Sequence, residues 1–315
     1  MTAVSRRAAL LGVAAGLALP LTACANEASG ARIRMACGEP GGLYLQFGEL
    51  LRDVLERRGI ALDVLASNGS AENLALLRRG DADLALALAD SAEQQGAGLA
   101  AIGQVYQNYL QCVVRADGGA RRIADLADLA DLAGRRVSIG APGSGSSLTT
   151  RRVLRAAGLL DGPEPPELGQ HPLEDALRAL EAGRIDAFFW SGGIPTPKIA
   201  ELGARTPLAL VALDPALARL SSADPGQYLP ARVPAGVYGI PDPTSTIGIP
   251  NLLLARPELA DATAQGIVDA LIDDAPSLVP AGSVGVQFLT GASLIDTGTL
   301  PLHPAAKRRY RERAG

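Results

Sequence analysis

The chain has 315 residues and a formal net charge of −4, with 29 Lys plus Arg against 33 Asp plus Glu. That balance gives no electrostatic case for nucleic acid as a partner, since phosphate binding needs a basic surface. The 2 histidines and 3 cysteines show no metal-ligand spacing, so neither a metal nor a cofactor is expected.

Met1 to Ala23 has a basic start at Arg6 and Arg7, an apolar run from Ala8 to Leu19, and then Leu21-Thr22-Ala23-Cys24. This is the layout of a secretory signal peptide, and the run is too short to span a bilayer. Leu-Thr-Ala-Cys resembles a bacterial lipobox, in which the Cys24 thiol is lipidated and becomes the first mature residue. The alternative is a plain signal peptide followed by an incidental cysteine. Ser5-Arg6-Arg7 resembles a twin-arginine export signal without its usual aromatic. Residues 24–31 read as a flexible tether. No later apolar run reaches spanning length, so attachment to the outer face of the cell membrane is expected through the lipid anchor only. Cys37 and Cys112 sit in apolar, strand-like surroundings, where free buried thiols are the expectation.

Roughly 290 residues follow the cleavage point, more than one core usually holds, so two lobes are expected. Ile33 to Cys37 reads as a strand. Leu43, Phe47, Leu50, Leu51, Val54 and Leu55 recur at helical spacing up to Gly59, which predicts a helix over 43–58. Strand 61–66, helix 70–79, strand 84–89 and a longer strand 105–115 follow. A second series comprises strand 135–140, helix 147–157, helix 173–182, strand 186–190 and helix 196–203. Such alternation predicts an α/β fold with parallel sheets and crossover helices.

An internal echo supports two similar halves. Leu77-Arg-Arg-Gly80-Asp-Ala-Asp83 and Leu180-Glu-Ala-Gly183-Arg-Ile-Asp186 each run from a helix end through Gly and Asp into an apolar strand. The glycines suit left-handed C-caps. Asp81, Asp83 and Asp186 are therefore expected to bind backbone at strand entries and to take no part in chemistry.

Polar, glycine-rich turns join strands to helices at 38–44, 67–73, 140–147 and 190–196. Ligands collect beyond the carboxyl ends of strands in open α/β sheets, where helix N-termini offer unpaired N–H groups. For any single turn, a Ser or Asn helix cap explains the residues equally well. Repetition of the turn in both halves favours a shared cleft. Ser144-Gly145-Ser146-Ser147 lacks the Gly-Lys-Ser/Thr of a P-loop, and neither His171 nor His303 is paired with a nucleophile by a local motif.

The same segments carry a resemblance. Gly41-Gly42-Leu-Tyr44, Gly69-Ser70-Ala-Glu72-Asn73-Leu, Gly134-Arg-Arg-Val137-Ser-Ile-Gly140-Ala-Pro-Gly143-Ser144-Gly145 and Ile185-Asp186-Ala187-Phe188-Phe189-Trp190 are similar to motifs of the TAXI family of solute-binding proteins. Gly193-Ile-Pro195-Thr196, Val233-Pro234-Ala-Gly236-Val-Tyr238 and Leu302-His303-Pro304-Ala305 extend the likeness over residues 33–310. The resemblance implies a type II periplasmic-binding-protein fold: two α/β lobes joined by a hinge of crossing strands, closing on a ligand. Residues 32–114 with 247–315 would form lobe one, and 115–246 lobe two. It implies a small carboxylate or amino-acid ligand, glutamate-like ones included, and a TRAP-type membrane permease as partner. The family often carries Thr or Ser where this chain has Leu43, which removes one possible donor.

On this reading Gly42, Tyr44, Ser70 and Asn73 line the cleft from lobe one. Ser144, Ser146, Ser147, Trp190, Gly193 and Thr196 line it from lobe two, with Trp190 either stacking on the ligand or packing in the core. No catalytic residue is expected. The alternative is an enzyme on the same scaffold, such as a dehydratase or a pyrimidine-precursor synthase; it would need a placed acid or base, and Glu39 and Glu72 are the nearest acids. Lipidation has a direct check. Cys24→Ala should move the protein from the membrane pellet to the soluble fraction or leave it unprocessed, and a correctly cleaved mutant that still pellets would exclude the anchor.

Overall fold

Residues 32–116, 129–223 and 226–315 are described by the computed structural model. The expected signal peptide, the Cys24 modification and the tether lie outside them. The first series of elements is β1 (Ile33–Ala36), α1 (Leu43–Arg57), β2 (Leu62–Leu65), α2 (Ser70–Arg79), β3 (Leu84–Leu88) and a short α3 (Ala89–Gln95). Helix α1 buries Tyr44, Phe47, Leu51, Val54 and Leu55 on one face. Burial of each such side chain contributes about 1.5–3 kcal/mol before entropy is counted. Strand β1 pairs in parallel with both β2 and β3.

The second series repeats this plan. It comprises β5 (Arg136–Ser138), α4 (Gly145–Ala156), β6 (Glu167–Gly169), α5 (Leu173–Glu181), β7 (Ala187–Gly192) and α6 (Pro197–Gly203). Strand β5 pairs in parallel with β6 and β7. The remaining elements are β8 (Leu208–Val211), α7 (Asp214–Ala223), β9 (Leu229–Val233), α8 (Asp261–Asp273), α9 (Gly291–Leu294) and α10 (Pro304–Arg313).

Two long antiparallel strands tie the series together: β4 (Ala100–Arg115) and β10 (Thr244–Ala255). Ala100 to Leu110 of β4 face β10, whereas Tyr109 to Val114 face β7 and Cys112 to Arg115 face β8. Strand β10 likewise lies beside β3 over Asn251–Ala255 and beside β9 over Thr244–Gly248. Each strand thus exchanges neighbours along its length. The sheet order β2-β1-β3-β10-β4-β7-β5-β6 follows, and the predicted parallel sheets meet at an antiparallel seam. Arg32–Gly315 packs as one compact unit.

The echo proves to be a shared device. In the first half the Asp83 carboxylate accepts the Arg34 backbone N–H at 2.9 Å, while the Arg34 guanidinium donates to the Gly80 carbonyl at 2.6 Å. In the second half Asp186 accepts the Arg136 N–H at 2.9 Å, and Arg136 donates to the Gly183 carbonyl at 2.9 Å. Gly80 and Gly183 take positive φ, 75° and 66°, as C-caps require. The Arg thereby satisfies a helix-end carbonyl and the Asp a strand-end donor, both left open by regular structure. Cys37 and Cys112 are free and buried.

Asp90, fully buried in α3, joins the two series. Its carboxylate accepts hydrogen bonds from Thr149 at 2.7 Å and Tyr228 at 3.0 Å, with the Arg152 guanidinium 4.0 Å away. Burial is the largest influence and pushes its carboxyl above the usual value of 3.8; Thr149, Arg152, Tyr228 and the Ser91 backbone oppose it. A raised folded-state value means the folded chain holds the proton more tightly than the unfolded one. Stability from this group is therefore full at low pH and is lost as pH climbs from about 4 through the raised value. Asp90→Asn should remove that slope, so urea melts at stepped pH should show the variant gaining on the wild type as pH rises. Parallel slopes in the two proteins would place the titration elsewhere.

Candidate ligand-binding site

The loops after β1, β2 and β5 and the end of β7 meet on one side of the seam and enclose a cleft. Gly38, Glu39, Gly42, Leu43, Tyr44, Asn68, Gly69, Ser70 and Leu88 line it from the first half, and Ser144, Gly145, Ser146, Trp190, Ser191 and Gly192 from the second, with Asn108 of β4 between them. Its cavity measures about 40 Å³. That space holds a few waters.

The halves touch directly across the cleft. The first N–H groups of α2, from Ala71 and Glu72, both donate to the Gly143 carbonyl at 3.1 Å. A helix start proposed for ligand is thus occupied by backbone of the other half. The Leu173 N–H at the start of α5 donates to the Glu39 carboxylate at 2.7 Å. Desolvation is the main reason that carboxyl is held above its usual range, and Asp175 and Glu174 nearby add to the effect. Gly145 packs so closely that a Cβ there would sit 2.7 Å from Leu88 Cδ1 and closer still to Ser70 Oγ.

Gly42, Tyr44, Ser70, Ser144, Ser146 and Trp190, expected from sequence, all line this cavity. Several of their polar atoms are already engaged. Tyr44 donates its hydroxyl proton to Asn251 Oδ1 at 2.5 Å and lies 3.3 Å from Ser70 Oγ. With the Tyr44 proton spent on Asn251, Ser70 is the donor in that second contact. Ser70 Oγ also accepts the Leu88 N–H at 3.1 Å. Ser144 is the N-cap of α4, its hydroxyl oxygen accepting the Ser147 N–H at 3.1 Å. Ser146 is held only by a long 3.5 Å contact to the Phe189 carbonyl. Trp190 is both cleft wall and core: its ring lies 3.4 Å from where a Gly42 Cβ would be, and its Nε1 donates to Thr196 Oγ1 at 3.1 Å.

Asn73, Ser147, Gly193 and Thr196 sit behind this wall. Asn73 donates to the Cys37 and Leu86 carbonyls and accepts from Ser67 Oγ at 2.5 Å, which locks the ends of β1 and β3 together. Ser147 accepts from Gln170 Nε2 at 2.9 Å. Thr196 donates its hydroxyl to the Gly193 carbonyl and its N–H to Tyr238 Oη, each at 2.8 Å. Gly193 and Thr196 line an adjoining cavity of about 120 Å³. Asn108 and Leu88 went unnoticed in sequence because they sit within a strand or at a strand end, outside the glycine-rich turns, whereas Ser191 belongs to the turn at 190–196 but was not among the residues expected in the cleft.

Residues 35–314 match the NMT1-like family. The chain belongs to the NMT1-like family. Its structure is similar to that of a Bordetella bronchiseptica RB50 protein, with a TM-score of 0.55 and 16% identity over 90% of this chain and 98% of that one. A Listeria monocytogenes protein described as an L-cystine ABC transporter aligns with a TM-score of 0.50 and 15% identity, covering 78% and 92% of the two chains. A histidine kinase sensor domain with similarity to periplasmic binding proteins gives 0.52 and 16%, covering 81% and 98%. The NMT1-like chain has the two-lobed α/β fold of periplasmic binding proteins expected from its sequence. Among the described residues no helix is long and apolar enough to cross a membrane, and no group of three or more His, Cys, Asp or Glu could hold a metal.

Two serines in one turn separate cap from cleft. Ser144→Ala should cost about 0.5–2 kcal/mol of stability, the usual loss for an N-cap, with little change in ligand affinity. Ser146→Ala should do the reverse, weakening a ligand that contacts its hydroxyl roughly ten-fold without lowering the melting temperature. Calorimetry and unligated melts of both variants check the assignment.

Proposed function

We propose that this NMT1-like chain is an extracytoplasmic solute-binding protein, lipid-anchored through Cys24, that delivers a small carboxylate or amino acid to a TRAP-type secondary transporter. The observation that carries the reading is the cleft itself, which is built by both halves at the seam where β4 and β10 change partners. Parting or closing the halves there alters solvent access without breaking either parallel sheet, as hinge closure requires. Closure excludes water and strengthens whatever polar contacts the ligand makes.

The start of α1 supports a negatively charged ligand group. Its N-cap Gly42 supplies no side-chain hydrogen bond, so the first-turn N–H groups beside the cavity keep their donor capacity and partial positive charge. The start of α4 offers Gly145 and Ser146 in the same way, since Ser144 caps only the Ser147 N–H. A carboxylate suits both. The likeness to TAXI proteins favours an ion-driven carrier as partner, whereas the Listeria neighbour is described as part of an ABC system. Uptake in proteoliposomes driven by an ion gradient rather than ATP separates the two.

A thermal-shift panel tests the ligand class. At about one hundred times its dissociation constant a ligand adds about 2.7 kcal/mol, or roughly 4 °C for a chain of this size. Small carboxylates or amino acids should produce that shift and be recovered unchanged. Stabilisation by sugars alone would overturn the reading, and so would chemical turnover of the stabilising compound.

A further inference from the structure

We propose that Glu39, Asn108 and Ser191 form a subsite for an ammonium group, so that the solute is an amino acid and not a plain carboxylate. The inference rests on the solute-binding reading above and narrows it.

The argument begins with a polar atom that has no partner. Asn108 lines the cavity and is 2% exposed, and its buried Oδ1 makes no hydrogen bond. Its amide orientation is fixed, because Nδ2 donates to the Ser191 carbonyl at 3.1 Å. Rotating the amide would set oxygen against oxygen. The open position is therefore an acceptor. Ser191, whose Oγ is likewise buried and without a partner, lines the same cavity. A buried acceptor left unpaired is costly, so a solute that displaces water here must bring an N–H or O–H donor.

Charge points the same way. Glu39 is the one charged side chain among the residues lining the cleft. Lys198 packs its stem against Gly41 and directs its ammonium to Glu174 at 3.4 Å and Glu201 at 3.9 Å. The Tyr44 hydroxyl has already spent its proton on Asn251, and the Ser70 hydroxyl its proton on Tyr44. Asn108 Oδ1 and Glu39 thus present an open acceptor and a negative charge, while backbone at the starts of α1 and α4 presents donors. A zwitterion meets both demands at once. A plain dicarboxylate meets only the second, and would put a like charge beside Glu39.

L-glutamate and glutarate differ only by the amino group and make the test direct, extended to the other amino acids and their des-amino counterparts. An amino acid should bind at least ten-fold more tightly than its counterpart by calorimetry. Glu39→Gln keeps an acceptor for the Leu173 N–H and so preserves the fold, and Asn108→Ala removes the open acceptor. Each variant should lose roughly ten- to a hundred-fold in affinity for the amino acid and much less for the des-amino acid. Unligated melting temperatures near wild type exclude misfolding as the cause. Equal affinity within each pair, or equal losses in the variants, would overturn the ammonium subsite and leave the solute-binding reading standing. Failure of both series to bind, with sugars binding instead, would overturn both.

Discussion

The pairing of β4 with β10 is the constraint on which the rest depends. A strand has two edges, and each of these strands spends them on different neighbours at its two ends. One half of the molecule is therefore built on one end of the pair and the other half on the other end. The loops at the carboxyl ends of both parallel sheets are brought face to face where the exchange occurs. Without that seam the glycine-rich turns would be separate helix caps. With it they become the walls of one cleft.

Much of this plan was legible in the sequence because it is local. Helix α2 follows from the spacing of Leu74 and Leu77 and the stop at Gly80, and it spans Ser70–Arg79 as predicted. The structural role of Asp83 and Asp186 could be read from their position between a C-cap glycine and an apolar strand. Helix α3 escaped notice because it is 7 residues long and starts directly from β3 with no side-chain cap.

The cleft was less legible, and for a different reason. Asn73 and Thr196 occupy promising turns, yet their polar groups are consumed by backbone carbonyls and by Tyr238. Asn108 lies inside a run of sixteen strand residues, almost all buried, that carries Gln104, Gln107 and Gln111 as well. Alternation marks that run as a strand, but which polar residue faces open space depends on where β10 and β7 lie, and that is settled by pairings distant in sequence. Hydrogen-bond satisfaction, not residue type, is what separates a ligand contact from a structural one.

Gly145 shows how finely the closed arrangement is balanced. Its missing side chain lets the start of α4 sit against Ser70 and Leu88 of the opposite half. Adding one methyl group there would act as a doorstop, penalising the shut conformer while leaving each half intact. If the halves close on solute as proposed, affinity measured on such a protein would fall by the fraction of molecules still able to shut, with every hydrogen-bonding group of the cleft retained. On the proposed reading the glycine sets a conformational equilibrium, and through it the solute concentration at which the protein fills.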